Sequence, residues 1–420
     1  MDCTADTLVP RQEKPTTGAN AASGATGVAP VSGSPLGSIG KSSATQPKAA
    51  RAQRYQALTV ARGFLRRLAV KDPSKPFGWR VHQTGTCLYA RIGIHVSLHQ
   101  SQQYGSVHYG DLATCGSVWA CPLCAAKIQA RRRPELEKLV EWAYAQGYQV
   151  QMVTFTFPHY GFQKLAQLIP NQRNAFKAMR EQRAYKQMMK DAGYVGLVRS
   201  LEVTHGANGW HPHTHELWIT KDLTEARRGH FQAAVIKHWR NACMKAGLLL
   251  DDPATVFAFD LHAVNIQWDV SSSDYLAKQD TSRSWGIDAE LASQSSKQGR
   301  VAGVHPHEFL VRQADGDHER YLEYVQGMHG SRQLFWSPGL KALVGVNEVS
   351  DEELAKRQED KAYLLGLLSA EQWRFVRGND ARAELLDAAE SGGMQAVQAL
   401  LLALGCPNVQ FPVHSANEVG

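Results

Sequence analysis

Hydrophobic positions along this chain alternate between two periods. From Val150 to Phe157 apolar and polar residues alternate with the period of two that marks a strand. Two further runs, Val195 to Thr204 and His211 to Thr220, are joined through Gly206-Ala-Asn-Gly209, a hairpin signal. Helical spacing takes over between and after them. A long basic helix is expected from about Phe162 to Ala192, and another from Thr224 to Ala246 with Gly247 at its end. A strand around Val256 to Trp268 and a short helix opening at Ser271 to Ser273 follow. Upstream, Arg51 to Leu68 reads as a basic helix, and Leu136, Leu139, Val140 and Ala143 recur at helical spacing before the stop at Gly147. Downstream of Asp280 the pattern is mainly helical, with a capping box at Ser350-Asp-Glu-Glu353. This order of strands and helices, with at least one hairpin, predicts an α+β fold: a central antiparallel sheet with flanking helices.

With 420 residues, the chain exceeds one ordinary domain of ~100–200 residues. Residues 1–50 are rich in Ala, Ser, Gly, Thr and Pro without apolar periodicity and read as a disordered leader. The remainder divides into a Cys-rich basic segment (51–147), the sheet-bearing segment (148–285) and a mainly helical C-terminal region (286–420). A net charge of +7 favours a polyanionic partner. No stretch approaches the ~18 apolar residues of a membrane span, and the N-terminus lacks the features of a secretory signal, so a soluble, cytoplasmic protein without a membrane partner is expected.

Candidate chemistry concentrates in the hairpin Leu201–Ile219. On a strand His213 and His215 face the same way. A two-residue loop at Asn208-Gly209 would pair Glu202 with His215, and a four-residue loop from Gly206 to Gly209 would pair it with His213. Either register puts Glu202 on the histidine face and His205 on the other. One carboxylate and two imidazoles suit a hard or borderline divalent cation. His211 is set apart by Pro212, which fits poorly in a central strand, and His305-Pro-His307 reads as a loop. Thr154 and Thr156 share a face of the first strand and can support the site.

After the last strand, Tyr275 and Lys278 lie three apart on one helical face. A phenol attacks phosphorus only when its proton is removed or its oxyanion stabilised, and a neighbouring ammonium can assist. Farther upstream, Cys115, Cys121 and Cys124 have a spacing compatible with tetrahedral Zn2+, with Cys87 or one of His82, His95 and His108 as the fourth ligand. Such a closed site would be structural, and it could place Arg131, Arg132 and Arg133 against DNA phosphates.

Three motifs, Val153–His159, Trp210–Trp218 and Asp274–Lys278, together resemble those of the rolling-circle replication initiators of the histidine-hydrophobic-histidine endonuclease superfamily, in particular single-tyrosine plasmid replication proteins. Ala120-Cys-Pro-Leu-Cys124 and Gly330–Leu340 also look like this family, so the similarity runs from about Cys115 to Leu340. The resemblance implies an endonuclease fold of that superfamily and metal-assisted transesterification on single-stranded or hairpin origin DNA. Tyr275 would be the nucleophile, leaving a 5′-phosphotyrosine and a 3′-OH primer. His213, His215 and Glu202 would hold Mg2+ or Mn2+, with Lys278 assisting. It also implies a host helicase and polymerase as partners, in keeping with the lack of a nucleotide-binding Gly-rich motif. Polar Thr214 replaces the hydrophobic residue of the superfamily name. Ser271 stands where some members carry a Glu that activates water for the terminating cleavage. Transposases and relaxases share the histidines and the tyrosine, but in relaxases the tyrosine usually precedes the histidines. A zinc-containing DNA-binding protein without chemistry is the reading from another class.

Overall fold

The computed structural model describes residues 45–75, 78–221, 223–271, 303–356 and 361–412. Its main sheet has five antiparallel strands: β5 (Gln149–Phe155), β6 (Gly196–Gly206), β7 (Gly209–Thr220), β8 (Val264–Gln267) and β9 (Leu334–Trp336), in the order β8-β5-β7-β6-β9. Strand β7 is central, so its side chains have neighbours on both sides.

Two helical layers cover this sheet. On one face α3 (Leu165–Glu181) and α5 (Glu225–Lys245) bury Phe155, Phe176, Trp218 and Trp239 together. The rings of Phe155 and Phe176 meet edge to face, 5.3 Å apart at 87°, and Trp239 Nε1 donates to the Thr156 carbonyl at 2.8 Å. On the other face Leu136, Leu139, Val140 and Ala143 of α2 (Pro122–Ala145) pack on Val150, Met152, Val198, Leu217 and Ile219. Each fully buried aliphatic side chain there contributes ~1.5–3 kcal/mol. The helical spacing read from the sequence is the stripe that makes this contact. It covers one end of the face and leaves the other end, with the histidines, to polar residues.

A second sheet, in the order β10-β3-β4, joins β3 (Val96–Ser101) and β4 (Val107–Tyr109) to β10 (Ala362–Leu368). Its core includes Tyr55 of α1 (Thr45–Leu65), Trp373 of α11 (Ala370–Gly378) and Leu385 of α12 (Arg382–Ala403). A strand of the C-terminal region thus pairs with one from the Cys-rich segment, and these two expected divisions share a sheet and a core. A two-stranded ribbon, β1 (Val70–Lys71) with β2 (Trp79–Arg80), precedes them.

Several expectations change. The first helix begins at Thr45 and ends at Leu65, so residues 45–50 are helical and not leader; residues 1–44 lie outside the described residues. The long helix of 162–192 is two, α3 and α4 (Arg183–Asp191), divided where Gln182 takes extended angles (φ −61°, ψ 128°). The strand expected around Val256–Trp268 is mostly α6 (Pro253–His262), with β8 only after it. Asp252 caps that helix, accepting from Ala254 N and Thr255 N, with Pro253 in its first turn. The helix expected from Ser271 lies outside the described residues apart from Ser271 itself. The capping box holds, with Ser350 N donating to Glu353 Oε2 at 2.8 Å and Glu353 N to Ser350 Oγ at 3.1 Å.

His305 and His307 sit in a loop, as expected, just before α7 (Glu308–Arg312). Two further helices, α8 (Asp317–Gly327) and α9 (Leu340–Val344), flank β9 along the chain. His307 is fully buried, with Nε2 donating to the Trp119 carbonyl at 2.8 Å, and burial pushes its pKa down to about 4. Unfolding frees it to bind a proton below about pH 6.5, so it stabilises fully above that pH and loses its contribution as pH falls toward 4. The loss between about pH 7 and 5 is ~2 kcal/mol. His307→Gln keeps a donor without titrating. Urea midpoints at the two pH values should show a drop for the parent chain that is smaller by that amount in the variant; equal drops would contradict this.

Candidate metal centres

The β6–β7 hairpin turns through Ala207 and Asn208, pairing Gly206 with Gly209. Gly209 has φ +80°, the left-handed residue that follows a tight turn, and a Cβ there would lie 2.9 Å from Gly161 Cα. The register is the one expected from the longer loop: Glu202 opposite His213, and His205 opposite Trp210 on the other face. Pro212 is accommodated because β5 ends at Phe155, opposite Thr214. At Pro212 the strand has a partner on one side only, where a missing N–H is tolerated.

Glu202 and His215 are buried, and His213 keeps 13% of its side chain exposed. Glu202 Oε2 lies 3.2 Å from His213 Nε2 and 3.4 Å from His215 Nε2, and the three potential ligand atoms fall within 4.8 Å of one another. The other ring nitrogens are engaged behind them. His215 Nδ1 meets Thr154 Oγ1 at 2.9 Å, and His213 Nδ1 lies 3.3 Å from the His211 carbonyl. A carbonyl only accepts, so this contact is a hydrogen bond when Nδ1 carries a proton, and in a ring protonated there alone the Nε2 lone pair faces the carboxylate. Two lone pairs at 3.2 Å repel unless a proton or a cation lies between them. An oxygen and two imidazole nitrogens could hold a divalent metal ion.

His211, set apart in the sequence, stays outside the ligand group but lines the same face. Its Nε2 pairs with Thr156 Oγ1 at 2.8 Å, its ring stacks on His159 at 4.6 Å, and burial pushes its pKa down to about 3. His159 Nδ1 in turn reaches the Asn208 carbonyl at 3.0 Å. The neutral pair His159 and His211 walls the site beside the turn. Sequence reasoning missed this wall; the signal was that His211 and His213 share strand parity. Tyr275 and Lys278 lie outside the described residues.

The four cysteines meet as a second group. Cys87 comes from just after a 3-10 turn, Cys115 from the loop after β4, and Cys121 and Cys124 from the cap and first turn of α2. Sγ–Sγ distances are 3.5 Å for Cys87–Cys124 and 3.7 Å for Cys115–Cys124 and Cys87–Cys121. A disulfide would need ~2.05 Å, whereas the edges of a tetrahedron with ~2.3 Å metal–sulfur bonds are about 3.8 Å. All four are buried. The neighbouring sulfurs of Cys121, Cys124 and Cys87 lower the Cys115 thiol below the usual range. The group could hold a metal ion. The alternative fourth ligand His82 instead accepts from Thr84 N at 3.2 Å, and neither His95 nor His108 joins the group.

Arg131 and Arg132, expected as DNA contacts, each bond within the protein. Arg132 bonds Glu135 and Asp351 at 2.9 Å and the Val349 carbonyl at 2.7 Å, and Arg131 donates to the Leu354 carbonyl. Both pin the chain before and within α10 (Asp351–Lys356) to α2. Arg133 is exposed.

Among known proteins, residues 112–235 match the family model described as "Replication protein". "Protein rep" of Streptomyces lividans is 28% identical over 298 residues, covering 56% of this chain and 64% of that protein. "Neomycin resistance protein" of Streptomyces cyanogenus is 31% identical over 144 residues, 28% of this chain and 33% of that one. The chain thus spans less than two thirds of the length of either relative. No solved structure matches the chain. Among the described residues no helix is long and apolar enough to cross a membrane. Residues 112–235 enclose Glu202, His213, His215 and the Cys115–Cys124 run, and carry a replication-protein segment, which bears out the resemblance of this chain to rolling-circle replication initiators.

Proposed function

We propose that this protein initiates rolling-circle replication by nicking one strand of origin DNA, with Tyr275 as nucleophile, on an endonuclease fold of the histidine-hydrophobic-histidine superfamily. The observation that carries the reading is the meeting of Glu202, His213 and His215 on one face of the β6–β7 pair, within the segment that matches replication proteins. In the nicking step the Tyr275 oxygen forms a bond to phosphorus and the bond from phosphorus to the 3′ oxygen breaks. The 5′ phosphate stays on the tyrosine, and the phenolic proton ends on the departing 3′-OH, which primes synthesis. When bound, Mg2+ or Mn2+ supplies a Lewis acid for a phosphate oxygen. Glu202, His213 and His215 fix its position, and Thr154 and the His211 carbonyl fix the ring orientations. Lys278 offers a cation to the phenolate. Zn2+ in the four-cysteine group anchors the N-terminal end of α2, and a host helicase and polymerase carry the fork.

The test is incubation with single-stranded origin DNA and Mn2+, followed by denaturing electrophoresis. A protein–DNA adduct is expected, absent with EDTA and absent in Tyr275→Phe. A folded, metal-loaded protein that forms no adduct, but binds DNA equally well with Tyr275→Phe, would favour a DNA-binding protein without chemistry.

A further inference from the structure

On the helix-covered face, opposite the histidines, a cavity of about 210 Å3 opens between α3, the β6–β7 pair and the segment entering β9. Gln172 and Arg173 of α3, Arg199 of β6, Thr214 of β7, and Ser331 and Arg332 line it. Among the described residues no carboxylate does. The Arg199 guanidinium lies 5.0 Å from the Phe335 ring centre and 5.8 Å from that of Phe176, without an ion pair among the described residues. The acid whose field it feels, Glu216, is fully buried and already held by Arg180 and by Trp218 Nε1 at 2.8 Å. Burial, with Arg180 and Arg173 nearby, lowers the Arg199 pKa, yet a guanidinium stays protonated in a protein. Arg173 makes one long contact, 3.5 Å to Ser331 Oγ, and Arg332 is exposed.

Three guanidiniums from three elements therefore line one cavity that has no carboxylate in its lining, and the acid opposite Arg199 on β7, Glu216, is already shared with Arg180. Burying a charge without a partner is costly, and an incoming oxyanion removes that cost. The space is smaller than the ~300–1,000 Å3 of drug-sized ligand pockets and is large enough for a phosphate group. Gly330, Ser331 and Arg332 also border an open groove of about 1110 Å3 that runs past Phe335, Trp336 and Trp119. The groove lining also carries Glu348, Asp351 and Glu352, so its cationic end is the one at Arg332, and the aromatic rings beyond give a single strand surfaces to stack on.

We propose that Arg173, Arg199 and Arg332 form a phosphate site that holds one backbone phosphate of single-stranded DNA at the β9 edge of the sheet, on the face opposite the metal group. This rests on the DNA reading above and adds a second point of contact, remote from the cleavage chemistry.

The experiment uses the full chain without divalent cations. Binding of a fluorescent single-stranded oligonucleotide is measured against salt, and melting temperature is measured in inorganic phosphate against chloride at equal ionic strength. Arg173→Gln with Arg332→Gln alters exposed side chains only; Arg199→Met, which keeps the stacking volume, is a second variant. Each arginine removed from the backbone phosphate should flatten the slope of log K against log salt by ~0.7, so ~1.4 for the double variant. Phosphate should raise the melting temperature of the parent chain and do so less in both variants. An unchanged slope and an unchanged phosphate response would overturn the proposal while leaving the DNA reading intact. A parent chain that binds no DNA would overturn both, and a phosphate response that persists there would mark an adventitious ion only.

Discussion

Glu202→Gln will leave the metal-free protein as stable as the parent, or more so, and will abolish its stabilisation by Mn2+. In the parent a buried carboxylate faces the Nε2 atoms of two histidines at 3.2 and 3.4 Å, while His213 Nδ1 lies against a carbonyl. Without a cation or a shared proton the carboxylate meets a lone pair. The glutamine amide can donate to that lone pair instead, so the swap removes a repulsion and keeps the volume. With a cation the sign reverses. Binding to the folded state alone stabilises by RT ln(1 + [L]/Kd), ~2.7 kcal/mol at 100 Kd, and a site stripped of the one anionic ligand it has among the described residues loses most of that. Thr154→Val should give a graded result, because losing the hydrogen bond behind a ligating histidine costs roughly 10–100-fold in metal affinity. Urea unfolding with and without Mn2+ reads both terms. If Glu202→Gln destabilised the metal-free chain and Mn2+ moved neither protein, the carboxylate would be a salt-bridge partner of protonated histidines, and the metal reading would fall.

That site was legible because strand parity is a strong local constraint. His213, His215 and Glu202 could be assigned to one face from the alternation of a single hairpin, and the observed register left only the turn length to correct. Elements defined by distant partners were less legible. The run Ala362–Leu368 is apolar without clear alternation, and it is a strand because it pairs with Val96–Ser101, more than 250 positions away. Pro253–His262 carries aromatic and β-branched residues that look like strand, yet Asp252 and Pro253 ahead of it were a readable helix start. The break at Gln182 falls at neither Pro nor Gly. There the side chain, with His238 Nδ1 at 2.6 Å, ties the joint between α3 and α4 to α5. Arg132 shows the opposite limit: a basic run on a helix looks like a DNA contact until Glu135 and Asp351 are found beside it.

Helix α2 links the two candidate metal groups. Its N-terminal end is held by Cys121 and Cys124, and its C-terminal half, from Leu136 to Ala143, seals the apolar end of the sheet face whose polar end carries Glu202 and the histidines. Loss of the cysteine group should therefore disturb the hairpin at a distance, through packing alone.

The purified chain is accordingly expected to contain one Zn2+ per molecule, and Cys124→Ala to lose both the zinc and its cooperative unfolding. Sγ–Sγ distances of 3.5 to 3.7 Å already approach the edges of a thiolate tetrahedron, so ion binding needs little rearrangement. Structural zinc binds finger peptides with ~10–16 kcal/mol of apparent free energy, comparable with the ~5–15 kcal/mol that holds a whole domain folded. Buried thiols cannot ionise together without the cation, so zinc must be held as pH rises and released as acid protonates the ligands. Metal analysis and melting curves at about pH 8 and 5, with a chelator added at each, measure this. The lower pH should release zinc and lower the melting temperature of the parent chain while changing that of Cys124→Ala much less. A parent chain that contains no zinc and melts cooperatively in chelator would show that four reduced thiols pack as ordinary core, and α2 would then owe its position to Leu136, Leu139, Val140 and Ala143 alone.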